Sequence, residues 1–325
     1  MTTVLGLIYD DDTRTAELLA PALADRGARL LCLPTEAFPT EVKLHAELGP
    51  DGYRGWVATP DGRIDLASID AIWTKRVAVG VDIPREGMDP TVRMACRAES
   101  EATLEGVLAA LPVRWVNPLT TVLSAERKPW QLARAMAAGL TVPATVLTNV
   151  GSAAVDFYGD HRPLITKMMS TRPVRASSGR KQQLGTHAIH DDDLPALAEG
   201  LRFTTTTLQH RVAKRLEVRA SVVGDRIFAS AVDSPSMPGA EVDWRERSGT
   251  LMDRFEPIDM PADVAHKLVA LHRDLGLVYG GADFIITPDD EWVFLETNPC
   301  GEWDWIHRSG HDVAGALADA LVGRA

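Results

Sequence analysis

The sequence predicts an α/β protein with a parallel sheet near its N-terminus and antiparallel hairpins near its C-terminus. Apolar runs at 4–8 and 29–33 enclose an amphipathic helical pattern at 13–26, and this spacing is typical of a parallel βαβ unit. Much later, the runs 282–287 and 292–297 flank a short polar segment, PDDE, which indicates a β-hairpin.

The remaining elements follow from the same patterns. Asn117-Pro118 closes the first region. Ser124 is the predicted N-cap of a helix whose apolar face comprises Trp130, Ala133, Met136, Ala137 and Leu140. The segment 170–183 is rich in Ser, Gly, Arg and Lys without apolar periodicity, which predicts a mobile loop. We expect strands at 71–74, 142–147, 163–169 and 206–212, a hairpin at 216–233, and helices at 90–111, 191–202, 262–275 and 311–322.

Composition excludes several classes of protein. The 325 residues suffice for two or three subdomains with their own cores. No apolar run approaches the roughly 18 residues that span a bilayer, and the N-terminus lacks the pattern of a signal peptide. Three widely spaced cysteines indicate a reducing cytoplasm, and no zinc motif is present.

Charge is unevenly distributed along the chain. The net charge of −11 argues against nucleic acid as the main partner. Between His161 and Arg219, however, there are 11 Lys and Arg but only five Asp and Glu, which gives this segment a net charge of +6. This segment suits nucleotide phosphates and an acidic peptide, although a surface covered by salt bridges would give the same count.

The C-terminal hairpin carries the strongest functional signal. If its loop is the two residues Asp289-Asp290, Asp283 lies opposite Glu296, and Asn298 shares the face of Glu296 by the period of two. Two carboxylates that face each other across a ladder repel. A hard divalent cation removes this repulsion, and Asp, Glu and amide oxygens are the ligands that Mg²⁺ prefers. The alternative is an exposed hairpin with solvated carboxylates, against which its apolar neighbours argue.

Two stretches carry a resemblance to a known family. The run D–(x)12–ExN, from Asp283 to Asn298, resembles the metal-binding signature of ATP-grasp ligases. The continuation NPCGEWDWI and the upstream RKPWQLARAMAAGLTVP resemble the ATP-grasp maturases of ribosomal peptides, the graspetide or microviridin-type macrocyclases. The resemblance extends from about residue 5 to residue 321 and is strongest at the C-terminal end.

The resemblance implies an α/β ATP-grasp fold of three parts. These are an N-terminal βαβ pre-ATP-grasp domain (1–118), a small central lid domain (119–205) and a C-terminal antiparallel-sheet domain with the metal site (206–325). It also implies ATP and Mg²⁺ as cofactors, with two magnesium ions, and the loop 170–183 as the lid over the phosphates.

By the same resemblance, two lysines hold phosphate and a hinge binds adenine. Lys167 corresponds to the central-domain lysine, a compact charge suited to phosphate. Lys128 corresponds to an earlier lysine, although Arg127 beside it could do the same work. The hinge and its flank supply the expected nucleotide-binding residues Gln209, Arg211, Val212 and Lys214.

Two short motifs complete the expected site. Glu217 and Arg219 share one strand face and resemble a Glu-x-Arg pair near the phosphates; the alternative is a cross-strand salt bridge. Asp243-Trp244-Arg245 resembles a motif of the peptide-maturase branch, in which the arginine serves acyl transfer. A loop held by cation–π stacking is the other interpretation of that motif.

The resemblance therefore implies an ADP-forming ligase. It would phosphorylate Asp or Glu side chains of a precursor peptide and condense them with Thr or Ser hydroxyls or Lys amines, giving ω-ester or ω-amide rings. A leader peptide, an acidic core and a homodimer are expected. The alternatives are a ligase of free amino acids, of the glutamate-adding or dipeptide type, and an ATP-binding regulator without catalysis.

Overall fold

The computed structural model describes residues 1–9, 13–169, 174–175, 181–182, 185–238 and 251–324. The described residues form two four-stranded sheets, one three-stranded sheet, one five-stranded sheet and a separate pair of short strands. None of the described helices combines the length and apolar character needed to cross a bilayer.

The N-terminal region contains a parallel sheet and a small antiparallel one. The parallel sheet has the order β2-β1-β6-β7, and the antiparallel sheet has the order β3-β4-β5. The predicted βαβ unit is therefore confirmed, whereas the second sheet was not predicted from the sequence. The elements are β1 (Thr2–Ile8), α1 (Thr13–Ala24), β2 (Ala28–Pro34), β3 (Lys43–Gly49), β4 (Gly52–Thr59), β5 (Gly62–Asp65), β6 (Ala71–Thr74), α2 (Pro90–Ala109) and β7 (Arg114–Val116).

Residues 119–210 add four helices and a second four-stranded sheet. This sheet is antiparallel, in the order β12-β9-β13-β8, and β10 pairs separately with β11. The elements are α3 (Leu119–Ala125), α4 (Lys128–Ala137), β8 (Thr145–Thr148), α5 (Gly151–His161), β9 (Leu164–Thr166), β10 (Val174–Arg175), β11 (Lys181–Gln182), β12 (His187–Ile189), α6 (Leu194–Gly200) and β13 (Thr206–His210).

The C-terminal region is built on a five-stranded antiparallel sheet in the order β16-β15-β14-β17-β18. Strand β18 forms one edge of it, and both predicted hairpins belong to it. The elements are β14 (Leu216–Val223), β15 (Arg226–Val232), β16 (Glu256–Pro257), α7 (Ala262–Asp274), β17 (Tyr279–Ile286), β18 (Trp292–Asn298), α8 (Asp304–Arg308) and α9 (Val313–Val322).

The cores connect these regions. The parallel strand β1 is buried on both faces: Val4 and Ile8 belong to one apolar cluster, and Leu5 and Leu7 belong to another. The first cluster also contains residues of α1, of α9 and of the five-stranded sheet. The N-terminal sheet and the C-terminal sheet therefore share a core.

The prediction for the helix after Ser124 was wrong in two respects. Ser124 lies inside α3, and Arg127 is the N-cap of the separate helix α4. The expected apolar face of α4 is largely exposed, with Trp130 at 38% and Met136 at 63%. Gln131, Leu132 and Ala135 are buried instead. The buried face of α4 therefore includes the polar residue Gln131, whose side-chain amide is hydrogen-bonded to the neighbouring strand β18.

The three-domain division stays a prediction, and the strand pairing favours different borders. Strand β13 pairs with β8 and β9, so the central sheet ends near residue 210. Residues of α3 and α4, among them Ala125, Leu132 and Ala135, pack in the core beneath the five-stranded sheet. Residues 125–140 therefore pack with the C-terminal region, whereas Leu119 belongs to an N-terminal core cluster.

Candidate active site

The hairpin β17–β18 places two carboxylates opposite each other. Asp283 pairs with Glu296, as predicted, but the loop length and the register of the strands next to the loop differ from the prediction. The loop has three residues, 288–290, because Thr287 N donates to Glu291 O at 3.0 Å and Asp290 has a φ of 64°. Ile286 accordingly pairs with Trp292, and a bulge farther along restores the predicted partner of Asp283.

The bulge also decides which side chains face the core. A regular strand would place Phe294 and Glu296 on the same face. Leu295 is the extra residue, since Phe284 pairs with Phe294 while Asp283 pairs with Glu296. Phe294 therefore packs against Phe284 in the core, with ring centroids 5.5 Å apart, and Glu296 lies beside Asp283 on the opposite face.

Arg219 pairs with the first of these carboxylates. It lies on β14 directly opposite Asp283, with Nη1 3.0 Å from Asp283 Oδ1, and its side chain is 4% exposed. Its Nη2 donates to the backbone oxygen of Glu302 at 3.1 Å. Two glycines leave room for the guanidinium: a Cβ on Gly281 would lie 2.5 Å from Nη2, and one on Gly301 would lie closer still, so either would displace it.

Lys128 pairs with the second carboxylate. It is the first residue of α4, and its Nζ lies 2.9 Å from Glu296 Oε2. Arg219, Asp283, Glu296 and Lys128 thus form a row in which each carboxylate contacts a cation. Four formal charges sum to zero in this row, which offsets the repulsion between the neighbouring carboxylates.

The donor set of this row suits magnesium. Asn298 lies two residues after Glu296 and pairs with Gly281, which lies two residues before Asp283 on the neighbouring strand. Within the described ranges, no group of three or more His, Cys, Asp or Glu is arranged as a metal site, so the amide of Asn298 would have to complete a set. Two carboxylates and an amide offer hard oxygen donors, as Mg²⁺ requires.

Glu217 belongs to a second polar contact on β14. Its Oε1 accepts from Lys214 Nζ at 2.5 Å and from Ser234 Oγ at 2.7 Å. Glu217 and Arg219 lie two residues apart on β14 and so share one face, as predicted. They contact different residues: Glu217 contacts Lys214 and Ser234, and Arg219 contacts Asp283. Lys214 and Glu217 are both largely buried, unlike an ordinary surface ion pair.

The expected nucleotide hinge follows the central sheet. Gln209 is buried, and its Nε2 donates to Thr145 Oγ1 at 2.9 Å, so its side chain supports the sheet. Arg211 N donates to Pro163 O at 2.8 Å. In the described part of the chain, the N–H of Val212 donates to no other backbone group. Lys167 directly follows β9 and is half-buried.

Part of the expected site falls outside the described residues. Asp243, Trp244 and Arg245 lie there, and so does most of the loop 170–183. Their roles in acyl transfer and in phosphate binding remain predictions.

Three contacts of the site were missed by sequence reasoning. Lys75, 1% exposed, follows β6 and donates to Glu302 Oε1 at 2.7 Å and to Cys300 O at 3.2 Å. Asn117 was interpreted as part of a boundary, yet its amide bonds to the backbone of Val278, Tyr279 and Pro299 and so holds both ends of the hairpin. The third is Gln131. Lys75 directly follows the predicted strand 71–74, and this position is the signal that could have identified it.

Comparison with known families identifies the N-terminal region. The profile of the MvdD pre-ATP grasp domain matches residues 3–123. Among curated proteins, no sequence matches significantly.

Solved structures match over the full length. One is an ATP-grasp ligase from Chryseobacterium gregarium that is associated with ribosomal peptides and was solved with ADP and a leader and core peptide. Its sequence is 25% identical to this chain, its TM-score is 0.93, and the match covers 100% of this chain and 98% of that one. The macrocyclase MdnC from Microcystis aeruginosa, bound to precursor peptide MdnA, is 29% identical with a TM-score of 0.88, covering 99% and 100%. The macrocyclase MdnB from the same organism is 30% identical with a TM-score of 0.81, covering 99% of each chain.

Proposed function

Because this chain belongs to the ATP-grasp family of ribosomal-peptide macrocyclases, we propose that it is an ADP-forming ligase that closes rings in a precursor peptide. In this proposal, MgATP phosphorylates an Asp or Glu side chain of the peptide. A Thr or Ser hydroxyl, or a Lys amine, of the same peptide then forms an ω-ester or ω-amide.

The row Arg219, Asp283, Glu296 and Lys128 carries the proposal. Asp283 and Glu296 are adjacent across the hairpin, and cations contact both of them. Such a site suits a ligand that brings both metal ions and phosphate, since the carboxylates attract the metal and the lysine attracts the phosphate. Bound Mg²⁺ would supply charge neutralisation of the β- and γ-phosphate oxygens.

The residues of the chain would then bind and orient the two reactants. Asp283, Glu296 and Asn298 hold magnesium, and Lys128, Lys167 and Arg219 stabilise phosphate charge. The backbone at 209–212 binds the adenine edge, and Lys214 and Glu217 lie next to this hinge. Arg219 acts in part through Asp283, because its guanidinium is buried against that carboxylate.

The proposed reaction has two balanced steps. A peptide carboxylate oxygen attacks the γ-phosphorus in line, and ADP leaves with the electrons of the broken P–O bond. The hydroxyl or amine next attacks the acyl carbon, loses its proton and expels phosphate. Arg245, with Asp243 beside it, is proposed to stabilise the acyl phosphate during this second step.

We propose a precursor peptide with a leader and an acidic core as the partner. The related ligase from Chryseobacterium was solved with a leader and core peptide, and MdnC from Microcystis was solved with a precursor peptide. The hairpin β14–β15 is the proposed leader contact. A homodimer is also proposed, by resemblance alone. No disulfide joins the three cysteines, all of which lie among the described residues, and this supports the proposed cytoplasmic setting.

The decisive experiment is intact mass spectrometry of a candidate precursor with a Thr-, Asp- and Glu-rich core, encoded beside this chain. It is incubated with the protein, ATP and Mg²⁺. Loss of one water per ring, with one ADP formed each time, is the expected result. ADP release with free amino acids and an unchanged peptide mass would favour a ligase of free amino acids. No ADP with any substrate would favour a regulator without catalysis.

A further inference from the structure

Strand β18 is the edge of its sheet, and one side chain covers that edge at the candidate metal site. The side-chain amide of Gln131 bonds to both backbone groups of Thr297: Oε1 accepts from Thr297 N at 3.0 Å, and Nε2 donates to Thr297 O at 2.7 Å. Thr297 lies between Glu296 and Asn298. An amide side chain thereby replaces a neighbouring strand.

Both partners of this contact are buried. Gln131 is 1% exposed, and its Nε2 also donates to Ala125 O. The hydroxyl of Thr297 is held separately, at 2.9 Å from His272 Nε2. All the polar groups of Thr297 are therefore engaged, so this residue has little freedom to shift along the sheet.

The same helix carries the lysine that contacts Glu296. Lys128 and Gln131 are three residues apart on α4, which places them on one face of the helix. Lys128 Nζ lies 2.9 Å from Glu296 Oε2, while Gln131 holds the next residue of the strand. Two adjacent residues of β18 are thus tied to two residues of one helix turn.

We propose that Gln131 is a positioning residue, which sets the distance between the phosphate-binding Lys128 and the metal-binding carboxylates. The inference rests on the proposed function of Lys128 and Glu296. Its basis is chemical: only a primary amide offers a donor and an acceptor in the geometry that a peptide group requires. Without it, α4 keeps its apolar contacts through Leu132 and Ala135 but loses its register against β18.

The test measures nucleotide binding, with magnesium and the non-hydrolysable analogue AMPPNP, by calorimetry. Gln131→Met keeps the length of the side chain and removes both hydrogen bonds. We expect roughly 10- to 100-fold weaker binding of the magnesium–nucleotide complex, the range found when a residue that orients a metal ligand is lost. Leu132→Ala, on the same helix and in the same core, is the matched control, since it destabilises the packing without touching Thr297.

A second comparison separates positioning from simple loss of stability. If Gln131 acts through Lys128, adding Lys128→Met to Gln131→Met weakens binding little further, whereas independent effects would multiply. Gln131→Asn serves if the methionine variant does not fold: it keeps the amide donor and acceptor but is one methylene shorter, so either the bonds to Thr297 are lost or α4 shifts against β18.

The outcomes are distinct. Equal binding by Gln131→Met and the wild type, or equal weakening by Leu132→Ala, overturns the positioning role while the proposed function stands. Multiplied effects in the double variant overturn it as well. Absence of magnesium–nucleotide binding by the wild type would overturn the proposed function and, with it, this inference.

Discussion

The guanidinium of Arg219 lies 3.0 Å from the carboxylate of Asp283, and both side chains are buried, at 4% and 7% exposure. Strand pairing brings them together, since the two residues are direct neighbours on β14 and β17. A buried pair of this kind contributes differently from a surface pair, because removal of one partner leaves the other charged and unsolvated.

Arg219→Met is expected to lower the free energy of unfolding by about 3–5 kcal/mol, since it leaves the buried Asp283 carboxylate without its cation. Arg215→Met is the control: Arg215 forms an exposed pair with Asp290, so its loss should cost about 1 kcal/mol or less. Urea denaturation measures both. Similar losses for the two variants would show that the buried pair contributes no more than the surface pair.

Glu296→Gln should reduce ADP formation by more than about 100-fold, because loss of a metal ligand exceeds the usual cost of losing a supporting residue. The fold should remain, since Thr297 keeps its backbone bonds to Gln131. Glu291→Gln, in the exposed turn of the same hairpin, should leave turnover unchanged. Wild-type turnover by Glu296→Gln would contradict its assignment as a magnesium ligand.

Lys75→Met should lower the free energy of unfolding by about 1.5–3 kcal/mol, the usual contribution of hydrogen bonds to a charged group. Its ammonium joins the N-terminal sheet to the loop after β18 through Cys300 and Glu302. Thermal unfolding measures this effect, and Lys267→Met, which replaces a partly exposed lysine, is the control. A loss in Lys75→Met no larger than the control's would mean that this connection adds nothing to stability.

The stability of the protein should fall in acid partly because of His272. Burial lowers the pKa of His272 to about 3, from 6.5. Below about pH 6.5 the unfolded chain binds a proton that the folded protein excludes, so the free energy of unfolding falls by up to about 1.4 kcal/mol per pH unit until about pH 3.

His272→Gln should remove this part of the pH dependence, which urea denaturation between pH 7 and pH 4 measures (roughly the range of the transition). His266→Gln, on an exposed position of the same helix, is the control. An unchanged pH slope in His272→Gln would show that the imidazole does not control acid stability.

Sequence patterns alone predicted the α/β class, the N-terminal βαβ unit, both C-terminal hairpins and the pairing of Asp283 with Glu296. These features depend on local signals: apolar periodicity, turn residues and the alternation of faces. The pairing was predicted from a regular hairpin with a two-residue loop. In the structure the loop has three residues, which shifts the register by one, and the bulge shifts it back by one before Asp283.

The partners of the buried polar residues depend on how distant segments pack together. Gln131 breaks the amphipathic pattern of α4, and its burial becomes favourable only because β18 presents an unpaired edge to it. Lys75 was interpreted only as the residue after a strand, and Asn117 only as part of a boundary. Each is in fact hydrogen-bonded to a backbone group more than 150 positions away in the sequence. Local patterns carry no information about such contacts, because their energy arises when distant segments share one buried site.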